Sequence, residues 1–261
     1  MTVLICVPMF NAAPTILNVL RGLRAITDAD ILIVDDGSTD GSSAVIERSG
    51  IRLPHCVRHR RNLGPGFALR TGFRFALDHG YDQVVTIDSD GQHLPEDVPR
   101  LLEALAGSDV ASGSRFHPQS PQIGVAPPWR LRANQALAKV VCWHTDYVVT
   151  DGACGLRAYR ASALLNLQIT EAGYMWPCEM WGQMARAGLT VSEVPVTMIY
   201  RDADDAGGVA VPPGSLDGIV HQCEMVLLEA LGKGRARWVI RRWVFGLLVR
   251  IEEARGVFRN S

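Results

Sequence analysis

Short runs of aliphatic residues alternate with helical patterns through the first half of the chain, and this alternation constrains the possible folds most strongly. The runs lie at residues 3–7, 31–34, 55–57, 84–87 and 109–113. Between them, Asn11 with Pro14, Gly50 and Gly80 stand where helices are predicted to begin or end. Strands that alternate with helices in this way form a largely parallel sheet covered by helices. The sequence therefore predicts an α/β protein with a largely parallel, helix-covered sheet.

Polar clusters follow the predicted strands at the points where the strands end. They occupy residues 8–11, 35–38, 88–93 and 114–115. Parallel sheets bind ligands just beyond the carboxyl ends of their strands, and those ends meet at one edge of the sheet. We therefore expect the clusters to form one site large enough for a nucleotide.

The cluster after the fourth predicted strand is a candidate metal site. Asp88-Ser89-Asp90 places two carboxylates where the backbone turns, and Gln92 offers an amide oxygen nearby. Hard oxygen ligands suit Mg²⁺ or Mn²⁺, and an ion that also binds phosphate needs few protein ligands. The alternative is a solvated acidic turn that caps the next helix. His93 is expected to be a structural neighbour of these ligands rather than a ligand.

Two further loops are candidates for binding a nucleotide. Asp35 or Asp36 could accept a hydrogen bond from a base edge or a ribose hydroxyl, although either acid could instead cap the following helix. The glycine-rich residues 62–66, with Gly64 at their centre, would let the backbone approach a phosphate-bearing ligand. A tight loop without a ligand explains the glycines equally well.

The composition excludes several other classes of protein. Lysine and arginine number 26 against 27 aspartates and glutamates, so no global positive field attracts nucleic acid, and no nucleic-acid partner is expected. No signal-peptide pattern precedes the first apolar run, which favours a cytoplasmic protein. The six cysteines contain no CxxC pair, so we expect free thiols rather than disulfides or a zinc site.

The second half of the chain is less regular. We predict a surface loop at residues 117–128, a helix at 130–143, a strand at 193–200 and a loop at 202–215. From residue 216 onward, apolar residues at helical spacing lead into a segment rich in tryptophan and arginine. Its longest uncharged run is far shorter than the roughly 20 residues of a spanning helix. This amphipathic extension is predicted to lie on a membrane surface, or to pack on the α/β domain or on a second subunit of a homodimer.

Several motifs resemble those of the family 2 glycosyltransferases. Residues 3–11, 34–41 and 62–72 read VLICVPMFN, VDDGSTDG and NLGPGFALRTG, as in the opening of that family. Residues 88–97 read DSDGQHLPED and resemble the branch that contains dolichyl-phosphate mannose synthase and other polyprenyl-phosphate glycosyltransferases. Residues 151–160 and 193–196, which read DGACGLRAYR and EVPV, extend the similarity over roughly three quarters of the chain.

The resemblance implies a GT-A fold, an inverting reaction and a UDP- or GDP-linked sugar donor. It implies a catalytic domain at 1–215, with a nucleotide-sugar-binding half at 1–113 and an acceptor half at 114–215, followed by the extension at 216–261. The implied donor-binding residues are Pro8, Phe10, Asn11, Asp35, Asp36, Gly64, Arg70, Asp88 and Ser89. Asp88, Asp90 and Gln92 would hold Mg²⁺ or Mn²⁺. The arginines implied near the phosphates are Arg115, Arg130, Arg132 and Arg201.

The acceptor implied by the resemblance is a polyprenyl phosphate, which would place the enzyme on the inner face of the membrane. Residues 202–205 after Arg201 are acidic where the family has a basic loop, whereas cationic groups normally neutralise such a phosphate. A hydroxyl of a soluble metabolite or natural product therefore remains an alternative acceptor. A nucleotidyltransferase and a non-catalytic nucleotide-sugar-binding protein are the alternatives from other classes.

The catalytic roles expected from the sequence involve four residues. Asp90 and Arg115 are expected to stabilise the negative charge of the departing diphosphate. A hydroxyl acceptor would also need a general base, for which Glu179 is the first candidate and Asp151 the second. The alternatives are a helix first-turn acid for Glu179 and a structural ion pair with Arg157 for Asp151.

Overall fold

The computed structural model describes residues 1–51 and 55–200, apart from the side chains of Trp129 and Arg132. The predicted amphipathic extension at 216–261, the loop at 202–215 and the role given to Arg201 lie outside the described residues, as does the side chain of Arg132. The boundary at residue 215 between catalytic domain and extension therefore stays a prediction.

A seven-stranded sheet forms the centre of the fold, with the strand order β3-β2-β1-β4-β7-β5-β8. Its strands are β1 (Val3–Met9), β2 (Asp30–Asp35), β3 (His55–Arg58), β4 (Gln83–Thr86), β5 (Val110–Ser114), β7 (Arg157–Arg160) and β8 (Val191–Pro195). A separate parallel pair consists of β6 (Gln122–Ile123) and β9 (Met198–Ile199). All neighbours in the large sheet are parallel except at β7, which is antiparallel to both β4 and β5. The prediction of a mostly parallel α/β sheet is confirmed.

Helices connect the strands and cover the sheet. They are α1 (Ile16–Ile26), α2 (Ser42–Arg48), α3 (Pro65–Asp78), α4 (Val98–Ala104), α5 (Pro128–His144), α6 (Ala161–Leu164) and α7 (Trp176–Arg186), with a 3₁₀ helix at Pro95–Asp97 before α4. The single strand predicted at 193–200 is wrong in detail, because β8 ends at Pro195 and β9 begins at Met198. Proline has no N–H for a strand ladder, which favours a strand end at this position.

The strands that carry the candidate site are buried on both faces. Leu4 and Cys6 of β1 belong to one apolar cluster, whereas Ile5 and Val7 belong to the cluster on the opposite face. Successive strand residues point to opposite faces, so a continuous aliphatic run is the expected sequence of a strand covered twice. Burying each such side chain contributes about 1.5–3 kcal/mol, and the sheet is therefore a rigid base for the loops at its edge.

The described residues bear on the predictions for the cysteines and for membrane-spanning helices. The described cysteines are all free thiols, as predicted. Within residues 1–51 and 55–200, the structure contains no helix with the length and hydropathy needed to cross a bilayer.

Candidate active site

The predicted polar clusters meet at the carboxyl-terminal edge of the sheet. The parallel register places Met9 opposite Asp35 at the ends of β1 and β2, and the backbone N–H of Asp36 donates to the carbonyl of Met9 at 2.8 Å. β4 is parallel to β1 and leads into Asp88 at the same edge. β7 is antiparallel to both β4 and β5, so β5 also points this way and brings Arg115 to the site.

Asp88 lies in a narrow space between His93 and Gly155. A Cβ atom at Gly155 would lie 2.8 Å from a carboxylate oxygen of Asp88, so a larger residue there would displace this acid. His93 Nδ1 lies 3.2 Å from Asp88 Oδ2, and the Asp88 side chain is 39% exposed. Burial acts to raise the pKa of Asp88, but the contact with His93 and the charge of Arg115 outweigh it and lower this pKa. Asp88 is therefore held as a carboxylate.

The pKa of Asp90 is shifted in the direction opposite to that of Asp88. Its Oδ1 accepts the backbone N–H of Gln92 at 2.8 Å across Gly91, whose φ of 75° is a conformation that glycine adopts readily. Burial, followed by the negative charge of Asp88, raises the pKa of Asp90. Two carboxylates that repel each other in a partly buried loop are stabilised when a cation binds between them.

The donor set at this loop fits a divalent cation that shares its coordination with a ligand. Asp88 and Asp90 supply hard oxygen atoms, which Mg²⁺ and Mn²⁺ prefer. In the part of the chain that the structure describes, no three His, Cys, Asp or Glu side chains gather at metal-binding geometry. An ion at the two acids would complete its coordination with Gln92, water or phosphate oxygens, as Mg²⁺ commonly does.

The carboxylate of Asp36, predicted to contact the nucleoside, is engaged by the protein. It is buried and accepts hydrogen bonds from the backbone N–H groups of Leu63 and Gly64 at 2.9 and 2.7 Å. His59 Nδ1 lies 2.7 Å from its Oδ1, and the other ring nitrogen contacts the Thr71 hydroxyl. The geometry therefore shows Asp36 organising the glycine-rich loop.

Asp35 is also buried and shapes the turn that follows β2. It accepts the backbone N–H of Ser38 at 2.8 Å and the hydroxyl of Ser43 at 2.7 Å. Burial acts to raise its pKa, but these hydrogen bonds and the charge of Arg58 outweigh it, so the pKa is lowered. The helix-capping alternative is wrong for both acids, because the N-cap of α2 is Gly41 and Asp35 reaches this helix only through the Ser43 hydroxyl. Direct nucleoside contact by either acid stays a prediction.

The loop after β1 presents an aromatic side chain beside these acids. Pro8 lies within β1 opposite Val34, and Asn11 adopts a φ of 51°. The Asn11 side-chain oxygen accepts the Thr39 N–H at 2.9 Å, which ties this loop to the turn after β2. Phe10 is 44% exposed next to this tie, so its ring is available to stack on a base.

Asp151 pairs with Arg115 and not with Arg157, which corrects one of the two roles considered for it. The buried carboxylate of Asp151 lies 2.7 Å from Nε and 3.1 Å from Nη2 of Arg115. Burial acts to raise the pKa of Asp151, but Arg115 outweighs it and the pKa is lowered. The geometry gives no support to Asp151 as a general base, because both of its oxygens accept hydrogen bonds from the protein, and that role stays a prediction. Arg157 lies instead 4.6 Å from the centroid of the Trp181 ring.

Glu179, the first candidate for a general base, is engaged by the protein. Its side chain is fully buried, and its carboxylate accepts the N–H groups of Thr170 and Glu171, each at 3.0 Å. The Thr170 hydroxyl donates to it as well. The acid in the first turn of α7 thus fixes the loop that precedes this helix, which is a structural role. Sequence reasoning identified an acid of the right type but could not show that its oxygens are occupied.

The loop held by Glu179 covers the glycine-rich segment. The backbone N–H of Gly66 donates to the carbonyl of Ala172 at 2.9 Å, and a Cβ at Gly64 would lie 2.2 Å from that oxygen. Gly64 is therefore required by a close approach of protein backbone. Its predicted contact with the donor has no support from these contacts and stays a prediction.

Three other predicted site residues, Arg130, Arg70 and Ser89, have different surroundings. Arg130 Nη1 donates to the Tyr200 hydroxyl at 3.1 Å, and its guanidinium lies over the Tyr200 ring. Arg70 is on the exposed side of α3 with its guanidinium 4.9 Å from the Phe67 ring centroid. Ser89 is buried, and its carbonyl accepts the Thr15 hydroxyl at 2.7 Å. This bond joins the loop at residues 88–93, here called the metal loop because it carries the candidate ligands, to the start of α1.

Sequence reasoning did not identify the role of Glu193. This residue of β8 accepts the backbone N–H groups of Thr150 and Asp151 at 2.6 and 3.0 Å and the Thr150 hydroxyl at 2.8 Å. It therefore fixes the backbone that presents Asp151 to Arg115. The only signal in the sequence was an acid placed within an otherwise apolar strand pattern.

We expect Glu179→Gln to reduce stability while the turnover of the folded enzyme changes by no more than a few-fold. The new amide group must face N–H donors, and an unsatisfied buried polar group costs about 1–3 kcal/mol. Urea midpoints and kcat are the measurements, and Glu103→Gln at an exposed position of α4 is the control. A loss of about 10²–10⁴ in kcat with unchanged stability would restore the general-base role.

The fold and the site define a GT-A nucleotide-sugar transferase, with paired acids after β4 and a half-buried arginine beside them. The chain belongs to glycosyl transferase family 2, since the model of that family matches residues 4–165. It is therefore a glycosyltransferase.

Curated relatives are similar over most of their length. Undecaprenyl-phosphate mannosyltransferase of Micrococcus luteus is 34% identical, and the match covers 80% of this chain and 89% of that protein. Polyprenol monophosphomannose synthase of Mycolicibacterium smegmatis is 31% identical over 98% of this chain and 91% of that protein.

Solved structures confirm the fold. Glucosyl-3-phosphoglycerate synthase of Mycobacterium tuberculosis, solved with Mn²⁺, UDP and phosphoglyceric acid, superposes with a TM-score of 0.64 at 22% identity and covers 88% of this chain and 78% of that one. Mannosyl-3-phosphoglycerate synthase of Rubrobacter xylanophilus also gives a TM-score of 0.64, at 16% identity over 91% of this chain and 76% of that one.

Proposed function

We propose that this glycosyltransferase moves one sugar from a UDP- or GDP-linked donor to a polyprenyl phosphate, with inversion at the anomeric carbon. The observation that carries the acceptor class is that neither acid predicted as a base is available, because Glu179 and Asp151 are both buried and fully engaged. A phosphate monoester is largely ionised at neutral pH and needs no base. The names of the two curated relatives, which refer to undecaprenyl phosphate and polyprenol, support the same class.

The paired acids would hold the divalent cation in this proposal. Asp88 and Asp90, with the amide oxygen of Gln92, are the ligands, and the ion is Mg²⁺ or Mn²⁺. When bound, the ion neutralises the negative charge that develops on the departing diphosphate. The pKa of Asp90 is raised by burial and by the charge of Asp88, which supports this assignment because a bound cation would offset both effects.

Arg115 would bind the diphosphate from the side of β5. Its side chain is 14% exposed, and Asp151 contacts Nε and Nη2 of the guanidinium, so one edge of this group is fixed. An oxygen of the acceptor phosphate attacks the anomeric carbon from the face opposite the leaving group. The new C–O bond forms as the bond to the nucleoside diphosphate breaks, and that bond's electron pair leaves with the diphosphate.

The proposed reaction places the enzyme at a membrane surface as a peripheral protein. A nucleotide sugar is water-soluble and a polyprenyl phosphate is anchored in lipid, so the enzyme must meet both at the interface. We propose the cytoplasmic face, where the predicted tryptophan- and arginine-rich extension would contact the headgroups. A homodimer is the alternative use of that extension.

A matched pair of acceptors tests the proposal. We expect the purified protein with Mn²⁺ and a panel of UDP- and GDP-sugars to glycosylate a short-chain polyprenyl phosphate and not the corresponding polyprenol. NMR of the product should show the inverted anomeric configuration. EDTA should abolish the transfer, and added Mn²⁺ should restore it. Equal transfer to the polyprenol would contradict the acceptor class, and donor binding without any transfer would indicate a binding protein.

One observation favours the second candidate, transfer to a hydroxyl of a soluble metabolite. Residues 202–205 carry three aspartates directly after Arg201, and acidic groups repel an acceptor phosphate. A panel of hydroxylated metabolites in the same assay, with release of the nucleoside diphosphate as the readout, decides between the two acceptors.

A further inference from the structure

A buried histidine contacts Asp88, and a buried thiol contacts the other side of the histidine ring. His93 is only 3% exposed, and Cys154 is fully buried. His93 Nδ1 lies 3.2 Å from Asp88 Oδ2, and on the other side of the ring Nε2 lies 3.7 Å from Cys154 Sγ. The three side chains therefore form a continuous chain of contacts that runs from the interior of the protein to the metal loop.

We infer that His93 is a positioning residue that fixes the orientation of the Asp88 carboxylate, and that Cys154 fixes the His93 ring. This inference rests on the proposed role of Asp88 as a metal ligand. Asp88 is 39% exposed, so the close backbone at Gly155 does not by itself fix the rotation of its carboxylate. A contact at Oδ2 restricts that rotation and leaves the second oxygen for a cation. Partners behind a ligand tune metal affinity in this way, typically by 10- to 100-fold.

The backbone of the metal loop brings His93 back to Asp88. Gly91 adopts a φ of 75°, and Asp90 Oδ1 accepts the N–H of Gln92 at 2.8 Å. These two features turn the chain tightly, so a residue five positions after Asp88 contacts its carboxylate. The turn that follows the two acids therefore also places His93 against Asp88.

Cys154 and Gly155, in the segment before β7, both restrict the Asp88 carboxylate, Gly155 directly and Cys154 through His93. Gly155 provides the space that Asp88 occupies, because a Cβ there would lie 2.8 Å from the carboxylate. Cys154 Sγ lies between the His93 ring and the carbonyl of Leu156, which is 3.8 Å away. A Cβ atom at Gly113 would lie 3.1 Å from this sulfur, so a larger residue there would displace the thiol. The thiol thus fills a closed space and limits movement of the imidazole ring.

Two amide substitutions of His93 separate positioning from packing. The side-chain nitrogen of asparagine can replace Nδ1, whereas that of glutamine matches the position of Nε2. We expect His93→Ala to weaken the binding of Mn²⁺ alone, measured by electron paramagnetic resonance of the free ion, by about 10- to 100-fold. His93→Asn should recover most of this loss and His93→Gln should not. Cys154→Ala should weaken binding in the same direction by a smaller factor.

The controls keep this test separate from the proposed function. His144→Ala, at the C-terminal end of α5, should bind Mn²⁺ as the wild type does, and Asp88→Ala sets the level of no binding. Wild-type affinity in folded His93→Ala, or equal affinities for His93→Asn and His93→Gln, would overturn the inference. Because metal binding is measured without donor or acceptor, failure of sugar transfer in the wild type would refute the proposed function and not this positioning role.

Discussion

Asp90→Ala is expected to abolish sugar transfer while the folded protein without metal becomes no less stable. Losing a ligand of the ion that neutralises the leaving diphosphate should lower kcat/KM by about 10³ or more. The pKa of Asp90 is raised by burial and by the charge of Asp88, so its ionised form is disfavoured in the folded state. The alanine variant removes that unfavourable charge, and its urea midpoint at neutral pH should equal or exceed that of the wild type.

The direction of the Asp90 pKa shift also predicts how the stability difference between the wild type and Asp90→Ala depends on pH. A carboxyl whose pKa is higher in the folded than in the unfolded state destabilises the fold at pH values above both pKa values. In the absence of metal, wild-type stability relative to Asp90→Ala should therefore rise as the pH falls through the raised pKa of Asp90. Adding Mn²⁺ at neutral pH should stabilise the wild type and not the variant, because only the wild type binds the ion.

The exposed Asp146 provides a matched control for Asp90. Asp146→Ala also removes one negative charge from a loop, but it should leave both transfer and the stabilisation by Mn²⁺ unchanged. If Asp90→Ala retained wild-type kcat/KM in the presence of Mn²⁺, the metal assignment would be wrong even though the fold is that of a GT-A transferase.

The sheet could be predicted from the sequence because its strands are buried on both faces. Uninterrupted aliphatic runs such as residues 31–34 predict a strand that is covered by helices on both faces, and β2 includes this run. The short strand β7 was not predicted. It has only four residues with an arginine at each end, so it shows neither an apolar run nor an alternation of apolar and polar residues. Its antiparallel insertion between β4 and β5 depends on long-range pairing that no local pattern encodes.

The candidate site was predictable in residue type but not in its partners. Asp88, Asp90 and Arg115 come to one edge because strand ends converge there, which follows from the order of elements. The partner of Asp151 could not be predicted, because Arg115 is separated from it by 36 residues and Arg157 is nearer in sequence. The occupied oxygens of Glu179 likewise depend on a loop that folds back onto α7.

Asp151→Ala is expected to reduce both stability and transfer, because it leaves Arg115 without its partner in a largely buried place. Breaking a buried ion pair by removing one member costs about 3–5 kcal/mol. Asp78→Ala, which removes the exposed pair between Arg74 and Asp78 on α3, should cost less than about 0.5 kcal/mol. Urea midpoints of the two variants measure the difference. Transfer should fall by about 10²-fold or more in Asp151→Ala, because Arg115 is no longer oriented toward the diphosphate.

Removing both members of the buried pair separates its two roles. In Arg115→Leu/Asp151→Leu no unpaired charge remains, so most of the lost stability should return, as occurs when apolar groups replace a buried ion pair. Transfer should not return, because the guanidinium that would bind the diphosphate is gone. If the double variant regained activity together with stability, the pair would serve only to hold β5 against the segment before β7, and Arg115 would have no part in stabilising the leaving group.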